Sequence, residues 1–452
     1  MARKFKTVDY EKTLDTPVTL REVLPPDHLA RFIVGIIALL DLSGIYADYG
    51  PRGGEAYAPE ILLGLLFYGY ATGVFSSRGL EKATYESLPF RFIAGGLHPD
   101  HDTIADFRKR FLPQIKELFV QVLLVAHELG ELQLGNISVD GSKMRADASK
   151  HHAVSYGRLL ELEKQLQEEV EELLKLSEQA DQEGVPEGMN VAAELALRQA
   201  RLVNLEQAKA VLEARAEERY QAEQAEYEAK MKERAEKEQQ RGRKLGGRAP
   251  QPPEPGPRDK DQYNFTDPES QVMKNSTDKG FDQHYNAQAA VDQESRMIVG
   301  CTVSAHANDQ EEALPTVDAI PAEVGTPEGA ALDNGFFSED NIKGLEARHI
   351  EPYIATGREP HHHSWKEYFG PQPEAPGENA SPKEKMAYKL RTEIGREIYR
   401  LRKSTVEPVI GIIKEAMGFR QFSLRGLGAV AGEWCLVCLA YNLRRLHVLQ
   451  GA

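Results

Sequence analysis

The sequence predicts a mixed α/β protein that has a helical N-terminal region and a long helical insertion. Three patterns lead to this prediction. Residues 1–136 are dominated by apolar side chains at helical spacing, and residues 155–243 form a low-complexity stretch rich in Glu, Gln, Ala, Lys and Leu. From about residue 261 onward, strand-like apolar runs alternate with helical stretches. Such alternation is typical of a sheet covered by helices.

The N-terminal region reads as a series of short helices. Leu29–Leu42 and Pro59–Phe75 show dense apolar periodicity, and Pro59 stands where a first-turn proline is tolerated. Asp102 and Thr103 offer an N-cap for a further helix over Ile104–Phe111. That helix carries three consecutive basic residues, which are Arg108, Lys109 and Arg110. Short helices ending in a basic one fit a helix-turn-helix-like DNA-binding module, and they also fit a helical bundle with a solvated basic end.

The low-complexity stretch at 155–243 has leucines at spacings of three and four in two blocks. Residues 181–190 contain two glycines and a proline and separate the blocks. This pattern predicts an antiparallel helical hairpin or coiled-coil arm. The Pro/Gly-rich residues that follow predict a disordered linker over 244–260.

The remaining sequence supplies the sheet and its covering helices. Predicted strands are Asn136–Val139, Phe281–Val291, Met297–Ser304, Gly329–Leu332 and Ile350–Ala355. Predicted helices are Asp309–Ile320, Ala387–Met417 and Gly426–Leu449. Residues 358–386 have the composition of a loop.

Charge is unevenly distributed along the chain. The net charge of −15 argues against a protein coated in positive charge for nucleic acid. However, residues 151–240 hold 12 basic and 21 acidic side chains, whereas residues 391–430 hold 8 basic and 4 acidic ones. Because the acidity is regional, a nucleic-acid partner remains possible.

Cysteine usage and hydropathy predict a cytoplasmic location. Three cysteines in 452 residues cannot form a disulfide framework, and the N-terminus lacks the apolar core of a signal peptide. The most apolar stretches, 32–42 and 61–75, are shorter than the roughly 18 residues expected of a membrane span. We therefore expect both stretches to be buried core helices.

Three carboxylates stand where metal chemistry is plausible. Asp140 and Asp333 end predicted strands, and Glu407 lies in a C-terminal helix. Ligands of open α/β folds gather at such strand ends, and carboxylates suit Mg²⁺ or Mn²⁺. Each of these residues also has a purely structural interpretation. Asp-Gly and Asp-Asn-Gly are good turn formers, and Ser404–Glu407 fits a capping box in which Glu407 reaches back to its own helix start.

The surroundings of Glu407 favour its interpretation as a metal ligand. Lys403, Glu407, Gly411 and Lys414 share one helical face. A carboxylate flanked by cations, with a glycine that permits close approach, would serve metal and phosphate together. A solvated salt-bridged face explains the charges but not the glycine.

Taken in order, these motifs resemble the DDE transposases of bacterial insertion sequences, in the branch with a tyrosine-arginine-glutamate-lysine signature. The N-terminal matches are Tyr68-Gly69-Tyr70, Ser76-Ser77-Arg78, His98-Pro99-Asp100, Thr103-Ile104 and Phe107-Arg108. The core matches are Val139–Lys143, Ala148–Lys150, Tyr285–Gln288, Val291-Asp292 and Leu332–Phe336. The signature matches are Tyr399, Arg402, Glu407 and Lys414, followed by Phe422 and Leu424–Gly426.

The resemblance implies a domain plan. Residues 1–136 would be a helical DNA-binding region, and 137–154 with 261–452 a ribonuclease-H-like catalytic core. Residues 155–243 would be the helical insertion, whose acidity favours protein contacts.

The resemblance also implies an activity. The protein would bind terminal inverted repeats, cut DNA and join the 3′ ends to target DNA, as a homodimer in a synaptic complex, in a bacterial, nucleoid-associated cytoplasm. Asp140, Asp333 and Glu407 would hold two Mg²⁺ ions, with Mn²⁺ as a substitute. DNA contacts would come from Lys143, Arg145, Tyr399, Arg402, Lys403, Lys414, Arg425, Arg78, Arg108, Lys109 and Arg110. The alternatives are a metal-dependent nuclease that does not join ends, and a catalytically silent DNA-binding or assembly protein.

Other motifs are weaker. Cys435 and Cys438 have redox-like spacing but lie in an apolar helix, where two buried small side chains are the simpler interpretation. His361–His363 could hold zinc or belong to a solvated loop. No phosphate-binding glycine loop is present, so ATP use is not indicated.

Overall fold

We describe the protein from a computed structural model. The described residues are 22, 24–49, 56–183, 189–243, 246, 249–275, 280–357, 374–377 and 380–451. His361–His363 lie outside them, as does most of the predicted loop 358–386. The chain divides into two compact units, which are Met1–Met144 with Tyr285–Ala452, and Arg145–His284.

The N-terminal part of the first unit is helical. Its helices are α1 (Leu29–Ile37), α2 (Ser43–Ala47), α3 (Pro59–Thr72), α4 (Ser77–Glu86), α5 (Leu88–Ile93), α6 (His101–Arg110) and α7 (Leu112–Glu128). Helix α3 is buried along nearly its whole length and ends at Gly73, whose φ of 87° favours glycine. The predicted cap of α6 was wrong, because the helix begins at His101 and Asp100 accepts the N–H of Thr103.

Helix α3 is strongly apolar but has only 14 residues. Among the described residues, no single helix is long and apolar enough to cross a membrane. Of the described helices, the pair of α3 and α4 reaches that length and composition together, and the two helices are bent by 96° relative to each other.

The sheet of the first unit is built on β1 (Ile137–Arg145). The other strands are β5 (Phe281–Asp292), β6 (Ile298–Ser304), β7 (Gly329–Leu332) and β8 (Glu351–Ile354), in the order β6–β5–β1–β7–β8. Strands β1, β7 and β8 are parallel to one another, whereas β5 and β6 are antiparallel. The predicted strand at 329–332 is confirmed, and the predicted strand at 136–139 is longer than expected because extended backbone continues through polar residues to Arg145.

The C-terminal helices pack on this sheet. They are α10 (Ala313–Asp318), α11 (Glu339–Ala347), α12 (Pro382–Lys389), α13 (Glu393–Gly411) and α14 (Leu427–Leu449). The single helix expected over 387–417 is two helices, because Thr392 caps a new start at Glu393. Helix α13 continues into a π-helical turn over Ile412–Ala416. Helix α14 is buried along most of its length, packs against α3, α7 and β6, and forms the centre of the core.

The second unit contains the arm. Helix α8 (Tyr156–Glu183) runs antiparallel to α9 (Val191–Arg241), as predicted. Lys209 pairs with Glu163 at 2.9 Å and Arg198 with Glu169 at 2.7 Å. At the base of the arm an apolar cluster forms between the helices and is made of Val154, Leu159, Leu205, Ala208 and Leu212.

Short strands complete the second unit. These are β2 (Ala153–Ser155), β3 (Gln262–Asn264) and β4 (Gln271–Lys274). Strands β2 and β3 are antiparallel, and β4 pairs with the first residues of β5.

The predicted linker makes defined contacts at its C-terminal end. The Arg219 guanidinium of α9 donates to the Gly256 carbonyl at 3.1 Å, and Arg258 donates to Glu223 at 3.0 Å. The Gly157 N–H donates to the Asp259 carbonyl at 3.2 Å. The prediction of disorder is therefore wrong for residues 256–260, because charged residues within the Pro-rich run pair with the arm.

Candidate active site

Asp140 and Asp333 are brought together by the parallel pairing of β1 and β7. Val139 lies opposite Leu332, so the residues that follow them are neighbours at the same edge of the sheet. One oxygen of Asp140 accepts the Gly141 N–H at 2.8 Å. One oxygen of Asp333 accepts the Gly335 N–H, also at 2.8 Å, which caps a short 3₁₀ turn over Asn334–Phe336.

Glu407 is joined to this pair by Arg402, which lies five residues earlier in α13. The Arg402 guanidinium donates to Asp140 Oδ2 at 3.0 Å and to Glu407 Oε1 at 3.2 Å. The Arg402 side chain is 8% exposed, that of Asp140 20% and that of Glu407 49%. Arg402 is therefore a buried bridge between two carboxylates that are far apart in sequence.

The capping-box interpretation of Glu407 is wrong. Helix α13 begins at Glu393, so Glu407 lies deep within it. The Ser404 and Thr405 hydroxyls both donate to the Leu401 carbonyl inside the same helix. Glu407 thus has no free helix start to reach, because no helix begins at Ser404.

The position of Asp140 is unfavourable for a carboxylate without a cation nearby. Burial raises the pKa of Asp140 to about 6, and the negative charge of Asp333 acts in the same direction. The charge and hydrogen bond of Arg402 oppose this rise only in part. The site therefore holds negative charge at a desolvated position, which is the environment in which functional carboxylates are often found.

Lys414 connects the π-helical turn to β1 through hydrogen bonds. Its ammonium donates to Ser142 Oγ at 2.5 Å and to the Lys143 carbonyl at 3.5 Å. Burial lowers the pKa of Lys414, and the charge of Arg420 adds to this effect. No described atom lies within 4 Å of the position that a Gly411 Cβ would take, so the described chain leaves the space beside Gly411 open.

The residues predicted to bind DNA fall into three groups by exposure. Exposed cations are Arg78, Lys109, Arg110, Arg145, Lys403 and Arg425, whereas Tyr399, Lys143 and Lys414 are partly buried. Arg110 pairs with Asp48, and Arg145 pairs with Asp282 at 2.9 Å. The remaining two, Arg108 and Arg402, are buried.

Arg108 was predicted to contact DNA, and its burial contradicts that prediction. Its guanidinium donates to the Tyr70 hydroxyl at 2.9 Å and to the Phe75 carbonyl at 3.0 Å. The Tyr70 hydroxyl in turn donates to the buried carboxylate of Glu433 at 2.8 Å. Arg108 therefore belongs to an internal polar network, and Arg402 is likewise directed at carboxylates of its own chain.

One acidic residue beside the site was not predicted. Asp309 lies in the loop between β6 and α10, and its Oδ1 accepts from the side-chain amides of Asn286 and Gln288 at 2.7 and 2.8 Å. A Cβ at Gly141 would lie 2.8 Å from the same oxygen. Asp309 was expected at the start of the predicted helix Asp309–Ile320, but the helix begins only at Ala313, so the sequence did not mark Asp309 as a loop residue beside the site.

The cysteines are buried, as the apolar helix predicted. Cys435 is 5% exposed and Cys438 0%, and both thiols are free. Interaction with these two thiols lowers the pKa of Cys301 on β6. Within the described ranges, no group of three or more His, Cys, Asp or Glu side chains is arranged to hold a metal ion, and Arg402 is the cation that lies between Asp140 and Glu407.

Two family models match the chain. One is described as Transposase DDE domain and matches residues 250–443, which include Asp333 and Glu407. The other is described as Transposase domain (DUF772) and matches residues 18–110. Comparison with curated proteins gave no match, and neither did comparison with solved structures.

The fold, the acidic site and these two matches identify the protein as a transposase, an enzyme that cleaves DNA. More particularly, the chain belongs to the DDE transposases of the insertion-sequence type. Divalent metal ions and DNA are the cofactor and the partner that go with this family.

Proposed function

We propose that this transposase binds the inverted repeats at the ends of its element, cleaves the DNA there and joins the 3′ ends to target DNA. The catalytic core is a ribonuclease-H-like α/β domain interrupted by the arm, in the branch with the Tyr-Arg-Glu-Lys signature. Two contacts support the proposal: Asp140 and Asp333 follow paired residues of the parallel strands β1 and β7, and Arg402 joins Asp140 to Glu407.

The donor set of this site fits Mg²⁺. All three candidate ligands, Asp140, Asp333 and Glu407, are hard carboxylates, which this ion and Mn²⁺ prefer. Arg402 already supplies one positive charge between two of them, so a cation is the group that the site accommodates. When bound, two such ions would activate the attacking oxygen and stabilise the leaving 3′ oxygen.

The cationic side chains around the site have separate roles. Arg402 keeps Asp140 and Glu407 close to each other, and Lys414 holds β1 through Ser142. Lys403 and Arg425 are exposed and contact backbone phosphates, as do Lys143, Arg145 and Tyr399 around the site. Charge on these side chains offsets the negative charge that develops as a phosphodiester bond breaks.

The other regions serve DNA recognition and assembly. Arg78, Lys109 and Arg110 are exposed on the N-terminal helices and contact the terminal repeats. The arm, with 21 acidic and 12 basic residues over 151–240, mediates contacts between two copies in a synaptic complex. Its acidity opposes a direct DNA role, because like charges repel.

A cleavage and joining assay tests this function. The substrate is a duplex that carries the inverted repeat flanking the gene, with Mg²⁺ or Mn²⁺ as cofactor and a supercoiled plasmid as target. Wild type should nick the repeat end and join it to the plasmid, and excess chelator should stop both steps. Glu407→Gln, Asp140→Asn and Asp333→Asn should each abolish cleavage while DNA affinity is kept.

The matched control is Glu415→Gln, which changes an exposed glutamate of the next helical turn that pairs with Arg420. It should cleave like wild type. Cleavage without joining would identify a nuclease instead. Absence of metal-dependent nicking, or near-normal cleavage by Glu407→Gln, would refute the proposed site.

A further inference from the structure

A buried polar cluster lies directly beside Asp140 and is not used by the reaction as described so far. It consists of Asn286 and Gln288, which are 1% and 0% exposed, and the half-buried Asp309. Asn286 and Gln288 are two residues apart on β5, so their side chains lie on the same face of the strand. Both donate to one oxygen, Asp309 Oδ1, at 2.7 and 2.8 Å.

This cluster packs against β1 at Gly141, the residue that follows Asp140. Strands β5 and β1 are neighbours in the sheet. A Cβ built on Gly141 would lie 2.1 Å from Gln288 Nε2 and 2.8 Å from Asp309 Oδ1, which real Cβ atoms do not tolerate. Glycine at position 141 therefore lets the Gln288 amide and the Asp309 carboxylate lie against the backbone of β1.

The arrangement retains two polar atoms that have no internal partner. Asn286 Oδ1 and Gln288 Oε1 are buried and accept no hydrogen bond within the described chain. Unsatisfied buried acceptors are rare, and they occur where another constraint fixes the side chain. Here that constraint is Asp309, because both amides must turn their NH₂ groups toward the same carboxylate oxygen.

We propose that Asp309 is a positioning residue for the acidic site, which acts through Asn286 and Gln288 on the backbone of β1 at Gly141. Asp309 fixes the two amides, the Gln288 amide limits how far β1 can shift toward β5, and the carboxylate of Asp140 is thereby held beside Asp333. This inference rests on the proposed function, in which Asp140 and Asp333 are metal ligands. Residues that orient ligands in this way commonly change metal affinity when they are replaced.

Two readouts on metal-free and Mn²⁺-loaded protein test the inference without DNA. The first is hydrogen exchange of the peptide spanning residues 137–145 in the metal-free protein. The second is the affinity for Mn²⁺ alone, measured from the electron paramagnetic resonance signal of the free ion. Asp309→Ala should exchange faster in that peptide and bind Mn²⁺ about 10-fold more weakly, the lower end for residues that orient metal ligands. Asp309→Asn should show the same changes to a smaller extent, and it serves if the alanine variant does not fold.

Substitution of Gly141 provides an independent test. Gly141→Ala should weaken Mn²⁺ binding with Asp309 intact, because the new methyl group displaces the Gln288 amide. Adding Gln288→Ala to that variant removes the two closest clashing atoms, and only Asp309 Oδ1 at 2.8 Å remains. The double variant should therefore regain part of the affinity, which is a non-additive result expected for groups in contact. Glu311→Gln, an exposed acid of the same loop, is the matched control and should change neither readout.

The outcomes separate the two hypotheses. If wild type binds Mn²⁺ and Asp140→Asn does not, while Asp309→Ala leaves both readouts unchanged, the positioning role is refuted and the proposed metal site stands. If wild type binds no Mn²⁺, the proposed metal site fails, and the exchange rate of residues 137–145 in Asp309→Ala still decides whether Asp309 positions β1. Additive effects of Gly141→Ala and Gln288→Ala would also overturn the inference.

Discussion

Asp140→Asn should stabilise the metal-free transposase at neutral and alkaline pH while abolishing cleavage. The substitution keeps the shape of the side chain and removes the charge. The pKa of Asp140 is about 6 in the folded protein, against the usual value of 3.8 for an aspartate. This shift of roughly two units corresponds to about 3 kcal/mol at 1.36 kcal/mol per unit, and the side chain is only 20% exposed, so little of it is screened.

The sign of the effect follows from where the proton binds. Because the pKa is raised in the folded state, ionisation of Asp140 opposes folding, and stability is lost as the pH rises from about 4 to about 6. Below pH 4 the carboxyl is protonated in both states, and the cost disappears. The advantage of Asp140→Asn over wild type should therefore grow by up to about 3 kcal/mol between pH 4 and pH 7.5.

The assay is urea unfolding in chelator at several pH values, followed by the fluorescence of Trp434. Trp434 is buried and donates to the Gln288 carbonyl, so it reports on the unit that contains the site. A Trp365→Phe background leaves it as the single tryptophan. Asp318→Asn, which removes a partly exposed pair with Arg348, is the control and should stay within about 1 kcal/mol at every pH. An Asp140→Asn advantage that does not change with pH would refute the reasoning, and saturating Mn²⁺ should stabilise wild type only.

Three further predictions concern the arm and the polar network of Arg108, Tyr70 and Glu433. Replacing residues 158–258 with a short Gly/Ser linker should leave a folded, DNA-binding protein, because the Gly157 N–H and the Asp259 carbonyl are only 3.2 Å apart and a few residues can bridge them. The shortened protein should form fewer dimers, as measured by size-exclusion chromatography. An insoluble product would show that the arm is part of the core. Glu433→Ala should lower the free energy of unfolding by at least about 1 kcal/mol, because the buried Tyr70 hydroxyl loses its acceptor at a cost of about 1–3 kcal/mol, and the part-buried N–H groups of Ser423 and Leu424 lose theirs as well. Arg108→Ala should likewise reduce stability in urea, with a DNA affinity that follows the folded fraction; a selective loss of affinity would return Arg108 to the DNA interface.

Periodicity predicted most of the elements, and its failures have local causes. Strand β7 and the β5–β6 pair were predicted closely because apolar runs there are bounded by turn residues. The break between α12 and α13 was not predicted, because the apolar pattern continues across it. Two residues mark the break, namely Thr392, which caps α13, and Gly395, where a Cβ would lie 2.0 Å from the Lys389 carbonyl.

The site shows a different limit of sequence reasoning. The meeting of Asp140 and Asp333 follows from parallel strands, whose carboxyl ends share an edge. The burial of Arg108 and Arg402 could not be predicted, because an arginine on a polar helix face gives the same pattern whether it meets solvent or a buried carboxylate. Their partners, Tyr70 and Asp140, are distant in sequence, so only the fold pairs them.

The contacts of Arg402 help to explain how Asp140 and Glu407 can lie close together before metal binds. Two carboxylates brought together at a desolvated edge repel each other, and that repulsion would push the segments apart or protonate one acid. The guanidinium forms one hydrogen bond to Asp140 and one to Glu407, and so offsets part of the charge while it fixes both side chains. Asp140 and Glu407 each give one oxygen to this contact, so a cation in the place of the guanidinium would meet both carboxylates.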